Sequence, residues 1–330
     1  MASGHMITIA VDAVGGDFAP GAVIEGVTAA LAADPALRVL LVGPGEVVTA
    51  YASAHERVEA VVASETIAMD EHASAAVRAK KDSSIMVGCR LVKEGRAHGF
   101  FSAGNTGAMM AASTLVIGRI SGVQRPAIAT VLPTAGRPCV LLDAGANADC
   151  RPEHLLQFAH MGVAYAKTAM SVESPSVGLL NIGSEDSKGS TLAQEAHALI
   201  AAEVPGFVGN VEGNDIPAGK VDVVVTDGFT GNVALKLMEG MSRHLLGQFK
   251  TAMLSSPVNK VAAAVLRPAL EALRDRLDPE AHGAAPLLGV DGLALIGHGS
   301  SGPRAVASAL RVGATAVRGG LVERITESLG

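Results

Sequence analysis

The chain has 330 residues, of which 49% are hydrophobic, and its formal net charge is −6. This acidic balance argues against general nucleic-acid binding, which needs a concentrated basic surface. No uninterrupted apolar run reaches the roughly 18 residues that a membrane span needs, so we expect a cytoplasmic protein that can still touch a membrane surface.

The first five residues are not expected to contribute to the fold. Residues 1–5, from Met1 to His5, are typical of a tag remnant, and we expect the native chain to begin at Met6. The remaining residues, 6–330, suit a single α/β catalytic domain that carries a helical insertion.

Short β-branched runs alternate with Ala-rich segments of helical periodicity along most of the chain. Such runs, without clean polar alternation, are typical of strands buried on both faces. The predicted strands are Ile7–Asp12, Arg38–Val42, Val58–Val62, Gly99–Ser102, Ile128–Leu132, Cys139–Asp143, Val177–Asn181, Val221–Thr226 and Leu293–Ile296. The predicted helices are Ala19–Ala33, Ala73–Glu94, Thr106–Ile117, Pro152–Ala169 and Gly189–Glu203. This alternation predicts an α/β protein with a doubly wound, mainly parallel sheet.

A helical excursion, residues 231–285, interrupts this alternation. Pro257 and Pro268 are expected to kink it or to divide it into separate helices. An apolar stripe on it consists of Leu254, Val258, Val261 and Val265. Core or dimer packing, an acyl groove and contact with lipid all remain open for this stripe. A long helix from about Pro303 to Ser328 is predicted to close the chain.

Six predicted strands end in turns rich in glycine and short polar residues. Parallel strands present their carboxyl ends at one edge of a sheet, where helix N-termini bind anions. We therefore expect the six turns to form one polar cleft for an anion. The turns are Asp12–Asp17, Ser102–Gly107, Asp143–Asp149, Asn181–Gly189, Thr226–Asn232 and Gly297–Gly302.

The residues of these turns fall into three groups. Small residues that let phosphate or substrate approach the backbone are Gly15, Gly16, Ser102, Gly104, Thr106, Asn147, Gly228 and Gly231. Aspartates that would repel phosphate, and are therefore expected to organise the loops, are Asp12, Asp17, Asp143 and Asp227. The candidate catalytic side chains are Lys188, Asn232, Asn105 and His298. A solvated surface lysine and a structural histidine remain the alternatives for Lys188 and His298.

Several familiar signatures are missing from the sequence. The phosphate loop of nucleotide enzymes, the complete dinucleotide fingerprint, the Gly-x-Ser-x-Gly elbow and His-Glu-x-x-His are all absent. The three cysteines, Cys89, Cys139 and Cys150, have no metal-ligand spacing. Neither a metal nor a cofactor is implied.

Taken in order, the turns resemble those of the phosphate acyltransferase family of bacterial phospholipid synthesis, the PlsX type. The resemblance extends from Ile7 to about Val322. The segments that carry it are Ile9–Asp17, Ser102–Ala108, Arg125–Ala127, Asp143–Cys150, Pro152–Ala159, Gly178–Gly183, Gly209–Gly213, Asp227–Val233 and Gly297–Ser301.

The resemblance implies a Rossmann-like fold related to phosphotransacetylases and isocitrate-dehydrogenase-like proteins. It implies transfer of a long-chain acyl group from acyl-carrier protein to inorganic phosphate, which gives acyl phosphate for phospholipid synthesis. It also implies a cytoplasmic homodimer in peripheral contact with the anionic inner membrane. An acylphosphate:glycerol-3-phosphate acyltransferase in that membrane would take the product.

The chemistry needs no side-chain nucleophile, because phosphate attacks a thioester directly and a thiolate leaves readily. We expect backbone N–H groups near residues 104–106 and 228–232, with Lys188, to hold phosphate and the oxyanion. Asn105 and Asn232 are the expected side-chain donors, and His298 is the candidate to protonate the leaving sulfur.

Three other functions remain open. A phosphotransacetylase-like enzyme would use acyl-coenzyme A in the same reaction. A nicotinamide-dependent dehydrogenase of the isopropylmalate type would need a metal-binding Asp cluster and a set of arginines that grip a diacid, and the sequence shows no such set of arginines. A non-catalytic membrane or carrier-protein scaffold would not need so many polar strand ends.

Overall fold

The computed structural model describes residues 6–277 and 283–329, and it places helices on both faces of an 11-stranded sheet. The predicted tag remnant and residues 278–282 of the helical excursion lie outside the described residues. The strands are β1 (Ile7–Asp12), β2 (Leu37–Gly43), β3 (Val58–Val62), β4 (Gly99–Ser102), β5 (Ala127–Leu132), β6 (Cys139–Leu142), β7 (Val177–Leu180), β8 (Phe207–Val211), β9 (Val223–Val225), β10 (Ala285–Leu288) and β11 (Leu293–Ile296).

The helices occupy most of the remaining chain. They are α1 (Gly21–Ala33), α2 (Gly45–Ala52), α3 (Ala73–Ala79), α4 (Ser84–Lys93), α5 (Thr106–Ala112), α6 (Pro152–Ala169), α7 (Thr191–Glu203), α8 (Asp215–Ala218), α9 (Gly228–Met253), α10 (Pro257–Leu277), α11 (Pro303–Arg318) and α12 (Leu321–Leu329). A π-helical turn, Ser113–Ile117, continues α5.

The strand order is β3-β2-β1-β4-β11-β10-β5-β6-β9-β7-β8, and most neighbouring pairs run parallel. The exceptions lie in the middle, where β10 is antiparallel to β11 and β5, and β5 is antiparallel to β6. The predicted doubly wound, mainly parallel sheet is therefore confirmed. The three reversals also make β6, β9 and β7 run opposite to β1, β4 and β11.

Both faces of the sheet are buried, which explains why the strand sequences lack polar alternation. In β1, Ile9 and Val11 point into a core that includes Val306 of α11. Ala10 points into the opposite core, together with Phe100 of β4 and side chains of α4 and α5. Successive residues of one strand thus serve two cores, so apolar residues are needed at every position.

Two predicted helices are each divided in the structure. Residues 73–94 form α3 and α4 because the turn between them is bonded to the chain after β3. The Asp82 N–H donates to Glu65 Oε2 at 2.9 Å, and the Ser64 hydroxyl donates to Asp82 Oδ2 at 2.6 Å. The closing helix is interrupted at Gly319 and Gly320, and Gly320 has a φ of +65° that ends a right-handed helix.

Two strands, β8 and β10, and two helices, α2 and the four-residue α8, are absent from the prediction. Strand β8 contains Gly209 and Asn210, and β10 contains Pro286, and these residue types are all poor strand formers. Helix α2 follows the turn-forming Pro44-Gly45 pair and buries only Val48. Hydrogen bonding to the neighbouring strands, β7 for β8 and β5 for β10, overrides the local preference of these residues.

The helical excursion consists of α9 and α10 and ends before β10. Pro257 begins α10, whereas Pro268 lies inside it. Apolar side chains stay exposed along α9 at intervals of four residues; they are Phe229, Val233, Leu237, Met241, Leu245 and Phe249. Within the described ranges, no single helix is long and apolar enough to cross a membrane, although α11 and α12, bent by 53° relative to each other, pass that test as a pair.

The contact between α1 and α11 depends on Gly26, and we expect Gly26→Ala to destabilise the protein by about 1–3 kcal/mol. A Cβ at this position would lie 2.5 Å from Val306 Cβ and 2.7 Å from the Pro303 carbonyl oxygen. Gly21, in the same helix, has no neighbour within 4 Å of its Cβ position, so Gly21→Ala is the matched control and should leave stability unchanged or slightly raised. Urea unfolding of both variants measures the difference, and equal unfolding free energies would contradict the expected packing.

Candidate functional site

The carboxyl ends of β1, β4 and β11 form what we call the first edge of the sheet. The buried Asp12 carboxylate connects two of these turns: its Oδ2 accepts a hydrogen bond from Ser102 Oγ at 2.7 Å, and its Oδ1 accepts one from the Val14 N–H at 3.1 Å. Ser102 Oγ also accepts from the Gly104 N–H at 3.0 Å. Burial outweighs these hydrogen bonds and raises the pKa of Asp12. The Ser102 hydroxyl thus both donates and accepts a hydrogen bond within the protein.

The glycines after β1 fit tightly against the neighbouring turns. A Cβ at Gly15 would lie 2.7 Å from Asp12 Oδ2 and 2.8 Å from the Gly104 nitrogen. Gly16 has a φ of +105°, and its Cβ position lies 3.1 Å from the Gly299 carbonyl oxygen. That same oxygen accepts a hydrogen bond from the Asp17 N–H at 2.7 Å. The turn after β11 therefore joins those after β1 and β4.

Asn105 is fully engaged at the first edge. Its Nδ2 lies 3.2 Å from the Ala68 oxygen, 3.1 Å from the Met69 oxygen and 3.0 Å from the Glu71 oxygen. Its Oδ1 accepts from the Ala108 N–H at 2.9 Å, which caps α5. Two N–H groups are thus shared among three carbonyls, so in this conformation Asn105 ties residues 68–71 to α5 and has no N–H left for a substrate.

The exposed polar side chains of the first edge are Asp17, Thr106, His298 and Ser300. Nδ1 of His298 lies 2.7 Å from Ser300 Oγ, so Nε2 is the ring nitrogen available to a substrate. Thr106 occupies the first position of α5, where backbone N–H groups point away from the helix.

The carboxyl ends of β6, β9 and β7 form the second edge. Asp143, which is fully buried, organises it by accepting five hydrogen bonds. Its Oδ1 accepts from the N–H groups of Ile128, Gly145 and Ala146 at 3.1, 3.0 and 2.9 Å. Its Oδ2 accepts from the backbone N–H and the Nδ2 of Asn147 at 2.7 and 2.8 Å. One carboxylate thus fixes the whole turn after β6.

The start of α9 packs directly on this turn. The Gly228 N–H donates to the Asn147 carbonyl at 2.8 Å, and a Cβ at Gly231 would overlap the Asp143 carbonyl oxygen. Asp227 caps the helix by accepting from the Thr230 N–H at 2.8 Å and from its hydroxyl at 2.7 Å. Helix α9 therefore begins at a fixed position beside the turn after β6.

Asn232 and Lys188 retain donor capacity at the second edge. Asn232 is exposed, and its Nδ2 makes one hydrogen bond, to the Ala144 oxygen at 3.2 Å. Lys188 lies on the turn after β7, where it is also exposed and has no ion pair with any described residue. Its turn is separated from that of β6 by the intervening strand β9.

The expectation that all six turns share one edge is wrong. The antiparallel strands β10 and β5 reverse the direction of the sheet between β11 and β6. As a result, Gly15, Gly16, Asp17, Ser102, Gly104, Asn105, Thr106 and His298 lie at the first edge, whereas Asn147, Lys188, Asp227, Gly228, Gly231 and Asn232 lie at the second. The direct contacts join the turns within each edge.

The three thiols are held in their protonated form. Burial raises the pKa of Cys89 and of Cys139 to about 12. Cys150 lies beside the second edge, and burial, with the nearby charge of Asp143, raises its pKa to about 11. A thiol in this state is a poor nucleophile at neutral pH.

One second-edge residue was missed as a site residue. Arg125 lies two residues before the start of β5. Because β5 is antiparallel to β6, this position lies at the carboxyl end of β6. The Asn147 Nδ2 donates to the carbonyl of the next residue, Pro126, at 2.8 Å. The sequence signal was present in the Arg125–Ala127 segment, but nothing in the spacing connected it to the turn after β6.

Comparison with known proteins gives a consistent assignment. A family model described as "Fatty acid synthesis protein" matches residues 7–324. A protein named phosphate acyltransferase from Heliobacterium modesticaldum is 48% identical to this chain over 326 residues, which cover 97% of each chain. A protein of the same name from Myxococcus xanthus is 45% identical over 329 residues, which cover 98% of this chain and 93% of the relative. The chain belongs to the phosphate acyltransferase family.

Solved structures place this family member among Rossmann-like α/β proteins. A phosphotransacetylase from Streptococcus pyogenes superimposes with a TM-score of 0.63 at 17% identity, covering 94% of each chain. A branched-chain phosphotransacylase from Enterococcus faecalis gives a TM-score of 0.60 at 14% identity, covering 94% of this chain and 99% of the other. The predicted relationship to the phosphotransacetylase fold is thus confirmed.

The engagement of Asn105 predicts a structural effect of its removal. Asn105→Ala should destabilise the protein by about 1–3 kcal/mol, because three carbonyls and one N–H lose their partner. Amide hydrogen exchange in residues 68–71 should become faster. Asn232→Ala is the control, since that amide makes one hydrogen bond and is exposed. Unchanged exchange in residues 68–71 together with lost activity would instead make Asn105 a substrate donor.

Proposed function

We propose that this phosphate acyltransferase family member moves a long-chain acyl group from acyl-carrier protein to inorganic phosphate, and so makes acyl phosphate for phospholipid synthesis. The single observation that carries the proposal is the near full-length match to relatives named phosphate acyltransferase. The carrier-protein donor rests on the sequence resemblance. A phosphotransacetylase-like use of acyl-coenzyme A is the alternative for the same chemistry.

The reaction is one substitution at a thioester carbonyl. A phosphate oxygen forms the new C–O bond, the C–S bond breaks, and the sulfur leaves as a thiolate that takes up a proton. The raised pKa values of the three cysteines support direct attack by phosphate, because no described thiol is ionised at neutral pH. Alignment of the two substrates supplies roughly 7–11 kcal/mol in favourable cases.

The groups that remain for negative charge differ between the two edges. At the second edge, the start of α9 and the remaining N–H of Asn232 lie next to the turn after β6. At the first edge, α5 begins with the exposed Thr106, and His298 presents Nε2. We assign phosphate to the second edge. His298 lies at the first edge, so we keep it as a first-edge candidate and leave protonation of the departing thiolate to solvent. Lys188 is retained as a second-edge candidate.

Incubation with a long-chain acyl-carrier-protein thioester tests this function. Free carrier protein should be released only when inorganic phosphate is present, and hydroxylamine should trap the acyl phosphate as a hydroxamate. A parallel reaction with the matching acyl-coenzyme A identifies the donor, and higher turnover with that substrate would overturn the carrier-protein proposal. If neither thioester is cleaved in the presence of phosphate, the protein is better described as a non-catalytic scaffold. An acylated side chain that forms before acyl phosphate would exclude direct attack.

The helical excursion offers surfaces for a second copy of the chain and for a membrane. We propose that the exposed α9 stripe packs against a partner subunit and that the stripe from Leu254 to Val265 contacts anionic lipid. Exposure supports the latter, because Val258 is 77% exposed and Val265 76% exposed. The membrane would also bring the protein close to an acylphosphate:glycerol-3-phosphate acyltransferase.

Val258→Asp with Val261→Asp should weaken binding to anionic vesicles, since each change places a carboxylate where a valine would enter lipid. Vesicle co-sedimentation measures the bound fraction, and the unfolding transition should stay unchanged because both side chains are exposed. Val208→Asp, at a valine that is 56% exposed on β8, is the control and should bind as the wild type does. Full binding by the double variant would exclude the lipid contact.

A further inference from the structure

The backbone around Arg125 is held in place on both sides. The Gln124 N–H donates to Gln157 Oε1 at 2.9 Å, and the Gln124 carbonyl accepts from Arg119 at 2.6 Å. On the other side, the Pro126 carbonyl accepts from Asn147 Nδ2 at 2.8 Å. Arg125 is therefore fixed at its Cα, beside the same turn on which α9 begins.

The Arg125 guanidinium, in contrast, has no partner within the protein as described. The other arginines with described side chains bond to carbonyls, carboxylates or other groups, with Arg78 the one exception. Arg125 is exposed to solvent, so its five N–H donors are available to a ligand.

Most charged groups close to Arg125 at the second edge already hydrogen-bond within the protein, whereas the exposed side chains of Asp149 and Lys188 make no such bond to a described residue. Asp143 accepts five hydrogen bonds, and Asp227 caps α9. The Arg151 guanidinium donates to Gln124 Oε1 at 3.1 Å. Burial, with the charges of Arg151 and Arg125, lowers the pKa of His154, which therefore stays neutral at physiological pH. Arg125 is thus the cation beside the turn after β6 that remains for an external anion.

We infer that Arg125 is the phosphate-binding residue of the second edge and holds the attacking dianion between its guanidinium and the remaining N–H of Asn232. This inference rests on the proposed function. A guanidinium presents two parallel N–H groups that match two phosphate oxygens, and it keeps its proton throughout the reaction. The connection is short: Asn147 bonds to the Pro126 carbonyl through its side chain and to the Gly228 N–H through its own carbonyl. Lys188 lies farther along the sheet, beyond β9.

Arg125→Gln tests the assignment by removing the charge while keeping a polar side chain. The KM for inorganic phosphate should rise about 10- to 100-fold, the loss expected for a charge-assisted hydrogen-bonded pair. The KM for the acyl thioester should stay within about twofold. Arg125→Lys should fall between the wild type and Arg125→Gln, because it keeps the charge without the paired donors. Arg78→Gln, at the other arginine without a partner, is the matched control and should leave both KM values unchanged.

Titration calorimetry with inorganic phosphate alone provides a second readout that does not depend on turnover. Heat of binding should be present in the wild type and in Arg78→Gln, and lost in Arg125→Gln. An unchanged phosphate KM or undiminished phosphate binding would overturn the inference. A rise in the KM for the thioester alone would also overturn the inference, because Arg125 would then contact the thioester substrate instead of phosphate. If the wild type binds phosphate through Arg125 but cleaves no thioester, the result would contradict the proposed function while still supporting the phosphate-binding role of Arg125. Should Arg125→Gln fail to fold, Arg125→Lys carries the same comparison.

Discussion

The reversal of strand direction between β11 and β6 is the constraint on which the rest of the molecule depends. Each half of the sheet is parallel, so each half gathers its own turns at its own carboxyl edge. In each half a buried aspartate follows a central strand and accepts the N–H groups of its turn, Asp12 at the first edge and Asp143 at the second. The protein thus has two polar edges built on one plan.

The two edges differ in what remains for a ligand once their own hydrogen bonds are made. At the first edge, Ser102 and Asn105 are used to hold turns and helix together. The exposed polar groups that remain there are Asp17, Thr106, His298 and Ser300. At the second edge, Asn147 and Asp143 are used in the same way, whereas Arg125 and Asn232 keep free donors. A dianion needs a cation as well as N–H groups, which favours the second edge for phosphate.

Most of the fold followed from the sequence, because strands buried on both faces and amphipathic helices give strong periodic signals. The failures arose where tertiary contact outweighed local preference, as in β8 with Gly209 and Asn210 and in β10 with Pro286. The site was harder to predict for two reasons. Turn composition does not reveal strand direction, so the two edges were merged into one. Residue type also does not reveal whether an amide is already bonded, so Asn105 and Asn232 looked equivalent.

Helix α9 joins two regions that would otherwise be remote from each other. Its first residue rests on the Asn147 carbonyl, and Gly231 allows its first turn to touch the backbone of Asp143. From this foundation it runs for 26 residues, or about 39 Å, to the turn that leads into α10. The helix therefore has one end packed on the turn after β6 and the other on the outer surface. A molecule that binds the outer end therefore contacts the same helix whose first turn packs against the second edge.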